Sequence, residues 1–287
     1  MKRYITIFLL LSILIAPIYA VSGFSVTIGE ATNNNAAYKN TVLAYFQSKT
    51  EQNVSNADVK IITADEVNKI SQNITGKVYP SSSIYSCALV DLNYKEGIKI
   101  VVDSSKITVV TPQMYANALK TSGIEKGYVV VTSPISATGE AALTGVLKSY
   151  ETAVGADIPE AAKQAATEEL YLETALVNET GASGDEIAAL FSDVKNQTAA
   201  ENLQDPEQIE NIVNQTANNL NIDLNQNQTQ QIANTVANSQ QVQGNLTDFK
   251  EQLQDISSQV NQGGIMDQIN SLMQWLSGYI QGLISGQ

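Results

Sequence analysis

The chain has 287 residues, with 16 Lys plus Arg, 29 Asp plus Glu, no His and one Cys, and a formal net charge of -13. Without imidazole or a second thiol, the sequence excludes Ser-His-Asp and Cys-His catalytic centres, His-ligated metal sites and internal disulfides. The acidic balance also argues against nucleic-acid binding, since neutralising phosphates requires clustered Lys and Arg. We therefore expect no cofactor, no metal and no nucleic-acid partner.

The segment 1–20 has the pattern of a secretory signal peptide. A basic start at Lys2 and Arg3 precedes an apolar run over 4–15, and Ala20 is a small residue at a plausible cleavage point. The apolar run is well short of the roughly 20 residues that a membrane-spanning helix needs. We expect export with cleavage after Ala20. Ile18 is larger than the usual residue before such a site, so cleavage after Ser22 or Gly23 is one alternative, and retention of the segment as an anchor is another.

Residues 21–157 alternate short β-rich runs with helical patterns. A helix is predicted over 36–48, and Thr63 with Glu66 has the capping-box spacing that begins a second helix. A short turn separates two of the β-rich runs, 84–92 and 97–102, which predicts a β-hairpin. The predicted strands are 24–28, 59–62, 84–92, 97–102 and 129–131.

Two later segments of this domain each lead from a β-rich run into a helix. In the first, Thr111 is a natural N-cap, Pro112 fits the first helical turn and Gly123 fits the C-terminal cap. In the second, either Ser136 or Thr138 is expected to cap the helix. Strands that alternate with helices predict an α/β or α+β sandwich.

From residue 158 to 262 the β signal disappears and capped helices are expected. Helix starts are indicated at Pro159, Ser183 and Asp205. Over 196–262, 28 of 67 residues are Asn or Gln, so large apolar side chains are few. Regular Ile and Val spacing favours helices that pack on the α/β domain or on each other, and a disordered Asn/Gln tract is the alternative.

The last segment, 263–287, is predicted to be an amphipathic helix with Asp267 as its one charged residue. Three roles remain open for its apolar stripe. It packs against the chain's own core, it binds a protein partner or a second copy, or it lies on a membrane surface. The candidate interaction residues are Ile265, Ile269, Leu272, Trp275, Leu276, Ile280 and Leu283.

The clearest resemblance to catalytic chemistry is the pair Ser192 and Lys195. Its S-x-x-K spacing places a hydroxyl and an amine one helical turn apart, as in Ser/Lys acyl enzymes. The partner motifs S-D-N and K-T-G are absent, and the spacing is common by chance. We therefore assign no catalytic residue, and an envelope hydrolase using Ser/Lys or carboxylate chemistry is the alternative function.

Two other features have ordinary structural interpretations. Glu168 and Glu169, together with Glu173, place carboxylates four residues apart on one helix, where a solvated face is expected. Cys87 lies in an apolar run, so we expect a buried small hydrophobic residue and not a reactive thiol.

The sequence contains several N-x-[ST] sequons, in mild excess over the about four expected from its Asn, Ser and Thr content. In an exported protein such sites are candidates for N-glycosylation, which adds bulky hydrophilic groups to the surface. The candidate acceptors are Asn53, Asn73, Asn178, Asn196, Asn214, Asn227 and Asn245.

Four segments carry a resemblance to a known family: Phe24–Ala31, Val110–Leu119, Val131–Pro134 and Ala142–Gly145. They are similar to the YpuA-like predicted secreted proteins of unknown function, the DUF1002 family. The resemblance implies export and a two-part layout. It carries no catalytic residue, because the family has no agreed activity.

Charge divides the chain into two unequal parts. Residues 21–163 carry 12 Lys and 13 acidic residues, whereas residues 164–287 carry 2 Lys and 16 acidic residues. The acidity therefore belongs to the helical half, which we interpret as a hydrated extension on a near-neutral domain. We predict a secreted or envelope-associated, non-enzymatic interaction protein whose C-terminal helix contacts an envelope component or protein partner.

Overall fold

Five short strands build the sheet at the centre of the N-terminal region, and β1 and β3 among them are buried along their whole length. The computed structural model describes residues 23–261, and side chains through 258. The predicted signal peptide, and the C-terminal interaction helix with all its candidate residues, lie outside the described residues and stay predictions. The strands are β1 (Phe24–Gly29), β2 (Asp58–Ile62), β3 (Cys87–Asp91), β4 (Ile98–Val102) and β5 (Gly127–Thr132).

Helices connect and follow these strands. The first part contains α1 (Glu30–Asn33), α2 (Ala36–Gln47), α3 (Ala64–Thr75), α4 (Pro112–Thr121) and α5 (Ala142–Val154). The second part contains α6 (Glu160–Thr180), α7 (Gly184–Ala200), α8 (Pro206–Asn219), α9 (Gln226–Val242) and α10 (Thr247–Asn261). The predicted fold class, an α and β domain followed by a helical region, is confirmed.

The sheet is mixed, with strand order β2-β1-β3-β5-β4. β1 runs parallel to β2, β5 runs parallel to β4, and β3 is antiparallel to both β1 and β5. The predicted hairpin of β3 with β4 is therefore wrong, because β5 lies between them. The run Val129–Val131 is fully buried and takes the inner position, whereas β4 is partly exposed and lies at the edge.

Each face of the sheet is covered by a helix. On one face, Val26 and Ile28 of β1 pack in one apolar cluster with Val42 and Phe46 of α2. On the other face, the Thr27 hydroxyl donates to the Gly145 carbonyl at 3.0 Å, which holds α5 close to β1. Helix, sheet and helix thus form the three layers of the sandwich.

Local capping follows the sequence at most helix starts. Thr63 and Ser183 form reciprocal capping boxes with Glu66 and Glu186, as predicted. The Thr111 hydroxyl accepts from the Met114 amide, and the Asp205 carboxylate accepts from the Glu207 amide.

The predicted cap of α5 by Ser136 or Thr138 is wrong. The residue before α5 is Ala141, which makes no side-chain cap bond. Thr138 donates its hydroxyl to the carboxylate of Glu140, and it lies four residues before Ala142, the first residue of α5, which is too far for an N-cap.

The Asn- and Gln-rich stretch is helical, and the alternative of a disordered tract is wrong for the part that is described, through residue 261. Its few large side chains suffice because they join a core that begins in the sheet. One apolar cluster extends from Val90 and Leu119 through Leu170 to Ile209 and Val236. Each helix therefore needs only one buried stripe. Within the described residues, no helix is long and apolar enough to cross a membrane.

Gly29, at the end of β1, packs against the backbone of the segment that leads into β3. A Cβ at this position would lie 2.3 Å from the Ile84 carbonyl oxygen and 2.8 Å from that of Ser86. Both are backbone atoms, so Gly29→Ala should lower the free energy of unfolding by about 1–3 kcal/mol in urea titrations. Gly244→Ala is the control, because its Cβ meets no atom within 4 Å. Equal urea midpoints for the two variants would contradict this account.

Candidate functional site

Ionisable side chains are buried together where four helices meet. We call this group the buried lysine cluster: Asn117 and Thr121 of α4, Glu169 and Glu173 of α6, Lys195 of α7 and Ser239 of α9. Its members on α4 and on α6 are four residues apart, so each pair lies on one helical face. Each member is at most 6% exposed. Buried charges require partners, and the cluster supplies them internally.

Lys195 is held by acceptors from two helices. Its Nζ donates to the Glu169 Oε1 and Oε2 atoms at 2.7 and 3.0 Å. It also donates to the Thr121 hydroxyl at 2.7 Å and to the Asn117 carbonyl at 2.9 Å. All three ammonium protons therefore have acceptors, which leaves the amine no free role as a base.

Glu169 is the centre of the cluster because it contacts three other elements. Besides Lys195 on α7, it accepts from the Thr121 hydroxyl of α4. The Ser239 hydroxyl of α9 shares its one proton between the Glu169 Oε2 atom, at 3.3 Å, and the Thr235 carbonyl, at 3.0 Å. A buried carboxylate with an ammonium and two hydroxyl donors is well compensated for the loss of water.

Glu173 differs from Glu169 because only one of its carboxyl oxygens has a partner. Oε1 accepts from the Asn117 amide at 2.7 Å, whereas Oε2 has no hydrogen-bond partner among the described residues. Burial raises the pKa of Glu173 well above its ordinary value of 4.5, and the nearby Glu169 charge raises it further. The opposing effects of Asn117 and Lys195 are smaller. Glu173 thus stays protonated at pH values where an exposed glutamate is ionised.

The predicted solvated face of Glu169 and Glu173 is therefore wrong, since both side chains are fully buried. Their spacing indicates a shared helical face but not what packs on it. The missed signal is Lys195 itself, the one cation between Lys163 and Lys250 in a strongly acidic stretch. A lone lysine among carboxylates is a candidate for a buried ion pair.

Ser192 and Lys195 do not form a catalytic pair in the described structure. Ser192 is partly exposed, and the contacts of the Lys195 ammonium are to Glu169, Thr121 and Asn117. The S-x-x-K spacing is satisfied, but the long lysine side chain extends into the core. This arrangement gives no activated hydroxyl of the Ser/Lys type.

A small cleft of about 130 Å³ reaches the cluster from the surface. Lys195 and Ser239 line its inner part, and Gln240 and Gln243 line it beside them. The Gln240 amide donates to the Lys195 carbonyl at 3.2 Å, and the Gln243 amide donates to the Thr121 carbonyl at 3.1 Å. These amides hold α9 and the residue that follows it against α7 and α4.

Cys87 is buried, as predicted, and burial raises the pKa of its thiol to about 12. It is therefore an unreactive thiol at neutral pH. Among the residues from 23 to 261, no group of three or more Cys, Asp or Glu side chains is placed to hold a metal ion.

All seven sequon asparagines have exposed side chains. Their hydroxyl residues differ. Ser55, Thr75 and Thr247 are exposed, Thr180 is partly exposed, and Thr198, Thr216 and Thr229 are at most 3% exposed. Once the chain is folded, the most accessible complete sequons are those that begin at Asn53, Asn73 and Asn245.

Removing the lysine tests whether the buried lysine cluster holds the helices together. Lys195→Met keeps most of the side-chain volume but leaves Glu169 as an uncompensated buried charge, so unfolding should become about 3–5 kcal/mol easier. The double change Lys195→Met with Glu169→Leu should recover much of that loss. Lys120→Met, at an exposed lysine on α4, is the control and should change stability by about 0.5 kcal/mol or less. Glu169→Leu alone completes the cycle. Chemical denaturation measures the parent and the four variants, and additive losses in the double variant would contradict the coupling.

The protonation of Glu173 predicts a pH dependence. A raised pKa in the folded protein contributes stability that is fully present below about pH 4.5 and is lost as pH rises through the folded pKa. The slope reaches at most about 1.4 kcal/mol per pH unit for one proton. Glu173→Gln cannot ionise, so the variant should gain stability relative to the parent protein between pH 4 and pH 8. Glu168→Gln, on the same helix, is the control, and parallel pH curves for parent and Glu173→Gln would contradict the assignment.

Comparison with known proteins places the chain in a family. The family model described as "Protein of unknown function (DUF1002)" matches residues 28–256. "Uncharacterized protein YpuA" of Bacillus subtilis (strain 168) is 33% identical over 174 residues, which cover 59% of this chain and 59% of YpuA. The matched region thus spans less than two thirds of that relative, and a comparison with solved structures finds no match. The chain belongs to the DUF1002 family, as its resemblance indicated.

Proposed function

We propose that this protein is an exported, non-enzymatic interaction protein, released from the cell or held at its envelope. The observation that carries the proposal is that the ionisable groups of the buried lysine cluster pair with members of the cluster itself. It is the densest group of buried ionisable side chains in the described part of the chain, and its contacts are internal. Lys195 and Glu169 neutralise each other, and Glu173 is buried and pairs with Asn117. This chemistry stabilises helix packing and presents no reactive group to a substrate.

Export is supported by the leader pattern over 1–20 and by the burial of the single thiol, that of Cys87. A single buried cysteine can form no internal disulfide and is shielded from oxidants in an extracellular compartment. The sequon asparagines are exposed, so glycosylation enzymes of an export pathway could reach them.

Interaction at the envelope is supported by the contrast between the two ends of the helical half. Residues 164–262 carry 15 acidic residues and 2 Lys, which favours a hydrated surface. The final segment, 263–287, has one acidic residue and an apolar stripe. We propose that this stripe contacts an envelope component or a protein partner. Membrane-surface contact is a further outcome that fractionation can show.

Fractionation of native cells with intact-mass analysis tests export and attachment together. We expect a mature chain that begins at Val21, with any glycan visible as added mass. A variant carrying Leu272→Lys and Leu276→Lys should move from the envelope fraction to the soluble secreted fraction, because charges interrupt the apolar stripe. A variant carrying Gln274→Lys and Ser277→Lys is the matched control and should fractionate as the parent. A full-length cytoplasmic protein would refute export, and identical fractionation of the variants would refute the role of the stripe.

A further inference from the structure

The edge strand β2 leaves apolar surface uncovered. Val59 and Ile61 are 43% and 41% exposed, and with Val78 they are the large apolar side chains exposed in the described part of the chain. In the sheet they are paired in register with Val26 and Ile28 of β1, which are fully buried. The apolar face that α2 covers on β1 thus continues onto β2, where no element of the described residues covers it.

One side of the β2 backbone pairs with no described strand, and at the Ile61 carbonyl the Lys148 ammonium of α5 donates at 3.1 Å. β2 is the first strand in the sheet order and contacts β1 alone among the strands. Ala57, immediately before it, is extended, with φ -67° and ψ 145°. Extended backbone therefore runs over 57–62. Natural sheets protect such edges with charges, prolines, bulges or a covering element, and an exposed apolar edge is a template for another strand.

From this edge we propose that β2 binds the β2 strand of a second copy of the chain, antiparallel, with Val59 opposite Val59. A closed twofold dimer about an axis through this point joins the two five-stranded sheets edge to edge. The pairing places exposed apolar side chains beside each other on one face. It does not depend on export or on the C-terminal segment.

Charge selects this register. Asp58 and Lys60 lie on the other face of β2, where they form an ion pair within the strand at 3.2 Å. With Val59 on the twofold axis, Asp58 of each copy lies opposite Lys60 of the other, so the charged face pairs opposite signs twice. A register centred on Lys60 instead opposes two like charges and is disfavoured.

The distribution of charge along the chain favours a contact between two sheet regions over one between two helical regions. Residues 21–163 carry 12 Lys and 13 acidic residues, so two sheet regions meet without strong repulsion. Residues 164–287 carry 2 Lys and 16 acidic residues, so contacts between two helical halves are strongly repulsive. The contact is short, which predicts a weak dimer with a Kd between about 1 µM and 1 mM.

Sedimentation velocity on the full protein, from low micromolar to about 1 mM, measures the association. Asp58→Lys and Lys60→Asp each create like-charge contacts in the dimer, and each should weaken it by about tenfold or more. The double reversal, Asp58→Lys with Lys60→Asp, should restore the Kd to within about threefold of the parent. Lys95→Asp, at an exposed lysine outside β2, is the matched control.

Val59→Lys gives a second, independent measurement. Two lysines would meet on the twofold axis, so this variant should be monomeric while it retains the parent's circular dichroism spectrum and urea midpoint, because residue 59 is exposed. A parent protein that is monomeric throughout the concentration range would overturn the proposal. So would a dimer that the single charge reversals do not weaken, or one that the double reversal does not recover.

Discussion

The ion pair of Lys195 with Glu169 determines how the two parts of this molecule fit together. Taking both charges out of water costs several kcal/mol for each, and the helices recover this cost only when every partner is in place. Thr121 and the Asn117 carbonyl come from α4, which packs on the sheet side of the core, and Ser239 comes from α9. The pair therefore tolerates one arrangement of four helices and penalises others.

This constraint accounts for a helical region with few large side chains. Helices rich in Asn and Gln bury little area by themselves, yet Ile209, Val213, Ile232 and Val236 join the core that begins at the sheet. Amides contribute as well, since Gln240 and Gln243 bond to backbone carbonyls of α7 and α4. The outer faces stay polar and acidic, while the near-neutral sheet region exposes an apolar edge. The acidic surface and the exposed apolar edge of the sheet thus lie in different parts of the chain.

The success of sequence reasoning depended on how local each interaction is. The caps at Thr63, Thr111 and Ser183 were predictable because donor and acceptor lie within one helical turn. The predicted cap of α5 was wrong because the helix begins at Ala142, four residues beyond Thr138, and the residue before it has no capping side chain. The hairpin of β3 with β4 failed because strand order depends on a third strand about 30 residues later along the chain, which is more completely buried.

By itself, the sequence determined the excluded chemistry, the positions of most helices and strands, the capping residues and the family, since these depend on composition, on short spacings or on matching segments. Only the tertiary structure decided that Glu169, Glu173 and Lys195 lie in the core and that Val59 and Ile61 stay exposed at the sheet edge. The physical reason is that burial belongs to no single segment. It depends on which distant elements pack against a face, and a spacing of four residues is the same whether that face meets water or three other helices.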